Sequence, residues 1–140
     1  MLTRRGFASI ASCALCALTG FVATDASAQN APPATTPGVK RKILSQIDGP
    51  VPGYVTITVE AEIDPGTTVA RHTHPGIEAA YVLEGELNLE VEGQPVHTYK
   101  AGDAIQVPPV TPHGGKNGDK KTRITSTYII EKGKPLASPA

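Results

Sequence analysis

The sequence predicts an all-β fold, an antiparallel sandwich or barrel, on three observations. Short runs of alternating apolar and polar residues recur from residue 54 to residue 131. Gly- and Pro-bearing turns separate them, and no segment carries a convincing helical period.

The elements follow in order. Residues 54–63 alternate cleanly, with Val55, Ile57, Val59, Ala61 and Ile63 on one face. Asp64-Pro65-Gly66 makes a turn. Residues 67–74 form a second strand, stopped by Pro75-Gly76, and 78–83 a third that runs back as its antiparallel partner. Glu84-Gly85 leads into 86–91, and Glu92-Gly93 is a hairpin turn into 96–99. After Ala101-Gly102-Asp103, residues 104–107 form a strand ended by Pro108-Pro109, and 122–131 is the last strand. Residues 40–47 read as one short turn or a strand.

The chain has 140 residues, which points to one folded domain. Residues 1–28 read as an export signal: Arg4 and Arg5 precede an apolar run over 7–22, and Ala26-Ser27-Ala28 has the small-x-small pattern of a cleavage site. Thr3-Arg4-Arg5-Gly6-Phe7 is similar to the twin-arginine signal, whose route carries folded proteins. Residues 29–38 read as a flexible linker, 39–135 as the domain and 136–140 as a frayed tail. A bacterial periplasm is the expected location.

Composition excludes several classes. The chain has 13 basic and 13 acidic residues with no block of like charge, so neither nucleic acid nor a polybasic membrane contact is expected. Both cysteines, Cys13 and Cys16, fall in the signal, and the mature chain has no Cys, Met, Trp or Phe. It can form no disulfide, offers no thiolate ligand and builds its core from Val, Ile, Leu and Ala. No membrane span is expected in the mature form. No Ser-His-Asp order, P-loop or dinucleotide fingerprint is present.

One constellation carries chemistry. His72 and His74 alternate on a strand and so face one side, about 7 Å apart along it. Glu78 opens the next strand across the Pro75-Gly76 turn, and His113 follows the rigid segment of Pro108 and Pro112. Alone, each is weak, because an H-x-H pair is usually superficial and a lone His usually just satisfied. Three imidazoles and a carboxylate together make a borderline donor set that accepts divalent transition metals.

Order and spacing sharpen this. Gly66, His72, His74, Glu78 and Gly85 stand at the intervals of G-x5-HxH-x3,4-E-x6-G; Gly102, Pro108, His113 and Asn117 stand at those of G-x5-PxG-x2-H-x3-N. The two segments, spanning 66–117, resemble the paired motifs of the cupin superfamily, and the chain is similar to small, single-domain, quercetin dioxygenase-like cupins. One position departs: Val110 replaces the middle glycine, so this turn need not use a positive φ and the loop before His113 should differ in shape.

The resemblance implies an antiparallel double-stranded β-helix, or jelly-roll barrel, holding one divalent transition metal ion near one mouth. His72, His74, Glu78 and His113 would be its ligands. Glu78 is also the candidate catalytic residue, a proton acceptor when it leaves the metal. Affinity alone favours copper. A chain folded before export takes its metal in the cytoplasm, which favours Fe2+ or Mn2+, while Ni2+, Cu2+ and Zn2+ also suit the donors.

Other residues are expected to be structural. Ala80 and Val82 share the Glu78 face and line the barrel; Tyr81 and Arg71 point outward; His97 is superficial; Asn117 braces a loop. The expected function is a metal-dependent oxygenase-type enzyme for a small organic molecule. The alternatives are a metal-dependent lyase or isomerase, and a module that binds a metal or small molecule without turnover. A homodimer through a sheet edge is also expected.

Overall fold

The computed structural model describes residues 36–140. The export signal and most of the linker lie outside the described residues. Ten strands follow: β1 (Val39–Asp48), β2 (Tyr54–Ile63), β3 (Thr68–Thr73), β4 (Gly76–Glu84), β5 (Glu86–Val91), β6 (His97–Lys100), β7 (Ala104–Val107), β8 (His113–Asn117), β9 (Thr122–Glu131) and β10 (Ser138–Pro139). Among the described residues no helix is long and apolar enough to cross a membrane.

The strands form two antiparallel five-stranded sheets, ordered β1-β2-β9-β4-β7 and β10-β3-β8-β5-β6. Only β1–β2 and β5–β6 are successive strands that pair; every other connection crosses from one sheet to the other. This is the jelly-roll arrangement that the resemblance implied. It corrects one expectation, because β4 does not pair with β3. The chain changes sheet at Pro75-Gly76, and β4 lies between β9 and β7. Gly76 is required there: a Cβ would stand 2.0 Å from the Ile129 carbonyl oxygen.

Residues 40–47 form a strand, one of the two alternatives, within the ten-residue edge strand β1. Two further segments differ from the sequence reading. Strand β8 was not expected, because Gly114 and Gly115 blank out the alternation that reveals a strand. Those glycines let β8 fit between β3 and β5, since a Cβ on Gly115 would lie 2.9 Å from the Asn88 carbonyl oxygen. The expected frayed tail is instead tied down. Ser138 and Pro139 pair with Thr73 and His72, and the Ala140 amide donates to the Arg71 carbonyl.

The inner faces make the core. Val82, Leu87, Leu89, Val91, Ile105, Val107 and Ile124 form one cluster. Val55, Ile57, Val59, Tyr128 and Ile130 form a second, against which Leu136 packs. Each fully buried Val or Ile contributes about 1.5–3 kcal/mol of apolar transfer energy. Asn117, buried, joins the ends of three elements: its amide nitrogen donates to the Ile63, Asp64 and Lys120 carbonyls, and its oxygen accepts from the Thr122 hydroxyl at 2.7 Å. It braces the loop as expected.

Candidate metal centre

The site draws on both sheets. His72 on β3 and His113 at the start of β8 are direct cross-strand partners. His74 follows the end of β3, and Glu78 on β4 enters from the opposite sheet, paired across β9 with Tyr128. A bulge between Val69 and His72 re-aims β3 just before the first ligand candidate. The three imidazole rings converge, with centroids 4.9 Å (His72–His74), 4.3 Å (His72–His113) and 5.0 Å (His74–His113) apart.

Their tautomers follow from their hydrogen bonds. The Nδ1 atoms of His72, His74 and His113 lie 2.8, 2.6 and 2.9 Å from the carbonyl oxygens of Ala70, Leu136 and Thr111. A carbonyl only accepts, so each Nδ1 carries the proton and donates it. Each Nε2 is left with its lone pair. This is how backbone carbonyls fix metal-binding imidazoles. The three histidines offer donor atoms within 4.8 Å of one another and can hold a metal ion.

Glu78 completes the cluster geometrically. Its Oε2 lies 3.2 Å from His74 Nε2 and 3.3 Å from His113 Nε2. Both nitrogens are buried and make no hydrogen bond. Buried polar atoms that converge without donor–hydrogen geometry fit a divalent ion between them. The donor chemistry therefore suits the metal that the motifs imply.

Charge follows the same geometry. Burial holds the His72 pKa down at about 4, outweighing the Ala70 hydrogen bond that raises it. It is thus neutral, the form that binds metal, across the ordinary pH range. Burial alone would raise Glu78; the imidazoles of His113 and His74 outweigh it and bring the carboxyl below the usual carboxylate range. Burial works against a charge on His113, but Glu78 raises its pKa.

One residue of the site was missed by sequence reasoning. The Tyr128 hydroxyl donates to Glu78 Oε1 at 2.9 Å and so fixes the carboxylate, while its ring lies 4.8 Å from that of His74. Burial and the Glu78 charge raise the phenol pKa well above its usual value, so it keeps its proton. The signal was present in the sequence: on β9 Thr122, Ile124, Ser126, Tyr128 and Ile130 alternate inward. The Leu136 carbonyl was also missed, and no side-chain pattern could have revealed it.

The other placements agree with expectation. Ala80 and Val82 are buried, Tyr81 and Arg71 face outward, and His97, exposed, meets Tyr99 edge-on and is not part of the cluster. Val110 does not agree. It adopts φ +57°, so the turn uses a positive φ without the glycine that would make it easy. The reason lies in its hydrogen bond: the Val110 amide donates to the His74 carbonyl at 2.9 Å, which locks the loop over the ligand strand.

Beside the cluster lies a cavity of about 80 Å³, lined by His72, Glu78, His113, Ser126, Tyr128 and Arg41 among others.

A jelly roll whose inner faces bring together three histidines able to hold a metal ion defines the class, a cupin barrel. Residues 59–128 match the family model described as the cupin domain, and the chain belongs to the cupin family. Over 69 residues it is 36% identical to a 5-nitrosalicylic acid 1,2-dioxygenase of Bradyrhizobium sp, an alignment covering 49% of this chain and 31% of that one. The chain thus spans under a third of that curated relative's length.

Two solved structures share the fold. The polyketide cyclase RemF of Streptomyces resistomycificus superposes with a TM-score of 0.58 at 24% identity, over 78% of this chain and 77% of that one. A salicylate 1,2-dioxygenase variant of Pseudoaminobacter salicylatoxidans in complex with gentisate gives 0.56 at 18% identity, over 69% of this chain and 26% of that one.

Proposed function

We propose that this chain is an exported, metal-dependent cupin enzyme of the oxygenase type, acting on a small organic molecule. The carrying observation is that three backbone-oriented imidazoles turn unprotonated Nε2 atoms toward one point. In this reading His72, His74 and His113 hold one divalent ion through Nε2, with Glu78 as the fourth ligand. A divalent ion held by these residues would supply Lewis-acid or redox chemistry to a bound substrate. Fe2+ and Mn2+ are favoured over Ni2+, Cu2+ and Zn2+ by folding before export. Support for the oxygenase class comes from the dioxygenase relative.

This chain's own residues do the rest. Tyr128 holds Glu78 in place, and the apolar side chains of Leu87, Leu89 and Val107 line the cavity beside the cluster. One observation favours a second reading, a metal-dependent lyase or isomerase. Glu78 lines the cavity with Tyr128 bonded to one oxygen, and its carboxylate would accept a proton from a substrate carbon when it is not held by the ion. Periplasmic export by the twin-arginine route and a homodimer through a sheet edge belong to the same proposal.

The test loads purified protein anaerobically with Fe2+ or Mn2+ and follows oxygen uptake with catechols, flavonols, diketones and small carboxylic acids. Uptake with one class, lost in His113→Ala, is expected. Turnover without oxygen uptake, abolished in Tyr128→Phe, would transfer the assignment to the lyase or isomerase. Metal-loaded protein with neither activity would remove the enzyme reading.

A further inference from the structure

The cavity contains a group that metal binding does not use. Arg41 lies on β1, whose register pairs it with Ala61 on β2, and Ala61 pairs with Ile124 on β9. Cross-strand partners share a face, so Arg41 is on the inner face of this sheet with Val39. It is half-buried and lines the same cavity as His72, Glu78 and His113. Among the described residues lining that cavity, Arg41 is the one permanent cation.

The space in front of it has a sequence origin. Ala61, Ala80 and Ser126 are the small residues on the inner faces of β2, β4 and β9, and all three line the cavity. Larger side chains there would close it. Three strand spacings of about 4.8 Å separate β1 from β4, so Arg41 and Glu78 line the cavity well apart on the same sheet. A guanidinium keeps its charge at any pH and offers a planar fork of donors that matches a carboxylate. Its positive field also reaches the Tyr128 phenol beside the metal cluster.

We propose that Arg41 is the substrate-recognition residue of this cavity, and that it selects small organic carboxylates by pairing with the carboxylate while the reacting end points toward the histidine cluster. This rests on the reading of the site as a metal-dependent enzyme and names its substrate class. The volume sharpens it. A cavity of about 80 Å³ is smaller than the roughly 150 Å³ that accepts benzene, so short acids should enter more readily than aromatic ones. Arg41 is a specificity residue here, and nothing assigns it a part in bond making.

The test compares butyrate with its neutral isostere butyramide, and benzoate with benzamide, by NMR titration. Metal-loaded and metal-stripped wild type, Arg41→Gln and Arg41→Lys are used. Wild type should bind butyrate at least tenfold more tightly than butyramide, and more tightly than benzoate. Arg41→Gln should lose about 10- to 100-fold for the carboxylate and nothing for the amide. Arg41→Lys should recover part of the loss, which mere structural damage would not allow.

Unchanged butyrate affinity in Arg41→Gln would place the carboxylate elsewhere and overturn the proposal, as would no butyrate binding to wild type. The two readings fail separately. A protein that takes up no metal refutes the enzyme assignment, while Arg41-dependent butyrate binding by that same protein would leave the recognition role standing.

Discussion

Two of the three histidines are oriented by their own neighbourhood and the third is not. His72 and His113 each donate Nδ1–H to a carbonyl two residues back, Ala70 and Thr111. Wherever their short segments fold, their orientation comes with them. His74 donates to Leu136, 62 residues later in the chain. Its orientation exists only once the C-terminal segment has crossed to the other sheet and paired with His72 and Thr73. The geometry of the candidate metal centre is thus part local and part dependent on completion of the fold. His74 is also the deeper of the pair on its segment, buried where His72 is half-exposed.

The largest break in this comparison removes the imidazole itself. His74→Ala should abolish stoichiometric metal uptake. It should also abolish the rise in thermal midpoint that wild type shows on adding metal, worth about 4 kcal/mol at a thousandfold excess over Kd. Metal analysis and thermal melts with and without metal check this. Full occupancy with an unchanged midpoint would refute the site.

Next comes the tether alone. Deleting residues 136–140 should lower metal affinity about 10- to 100-fold, the usual effect of losing a group that orients a ligand. The deletion also removes Leu136 from the cluster of Val55, Ile57 and Ile130, so some stability goes with it. Leu136→Ala separates the two effects, because it keeps the carbonyl and loses the packing. It should melt lower while binding metal like wild type. Equal metal affinity in the deletion and in wild type would show that His74 needs no distant partner.

The same contrast explains what the sequence could reveal. Strand alternation and ligand spacing are local patterns, so β2, β5, β7 and β9 were legible, as were His72, His74, Glu78 and His113 as a group. Partners set by topology were not. The β3–β4 pairing was misread because a Pro-Gly turn looks the same whether the chain folds back or changes sheet. Tyr128 on β9 meets Glu78 on the adjacent β4 from 50 residues later in the chain, and the Leu136 carbonyl has no side-chain signature. Strand β8 was hidden because its two glycines fit close backbone contacts and contribute no apolar period.

Val110 gives the smallest and sharpest test. A β-branched residue at φ +57° is a true outlier, costing of order 1–3 kcal/mol against an extended backbone. Its side chain is 67% exposed, so removing it sacrifices little packing. Glycine adopts this conformation freely but loses more entropy on folding, by about 0.5–1 kcal/mol. Val110→Gly should therefore gain stability of about 1 kcal/mol, seen as a higher denaturation midpoint in the metal-free protein. Metal affinity should stay at the wild-type value, because the Val110 amide that bonds the His74 carbonyl is retained. Val110→Pro removes that amide and also forbids the positive φ, so it should reshape the loop and weaken metal binding. If Val110→Gly instead destabilises the protein, the loop over His74 draws its shape from the valine side chain, and the strain at this turn is smaller than its φ implies.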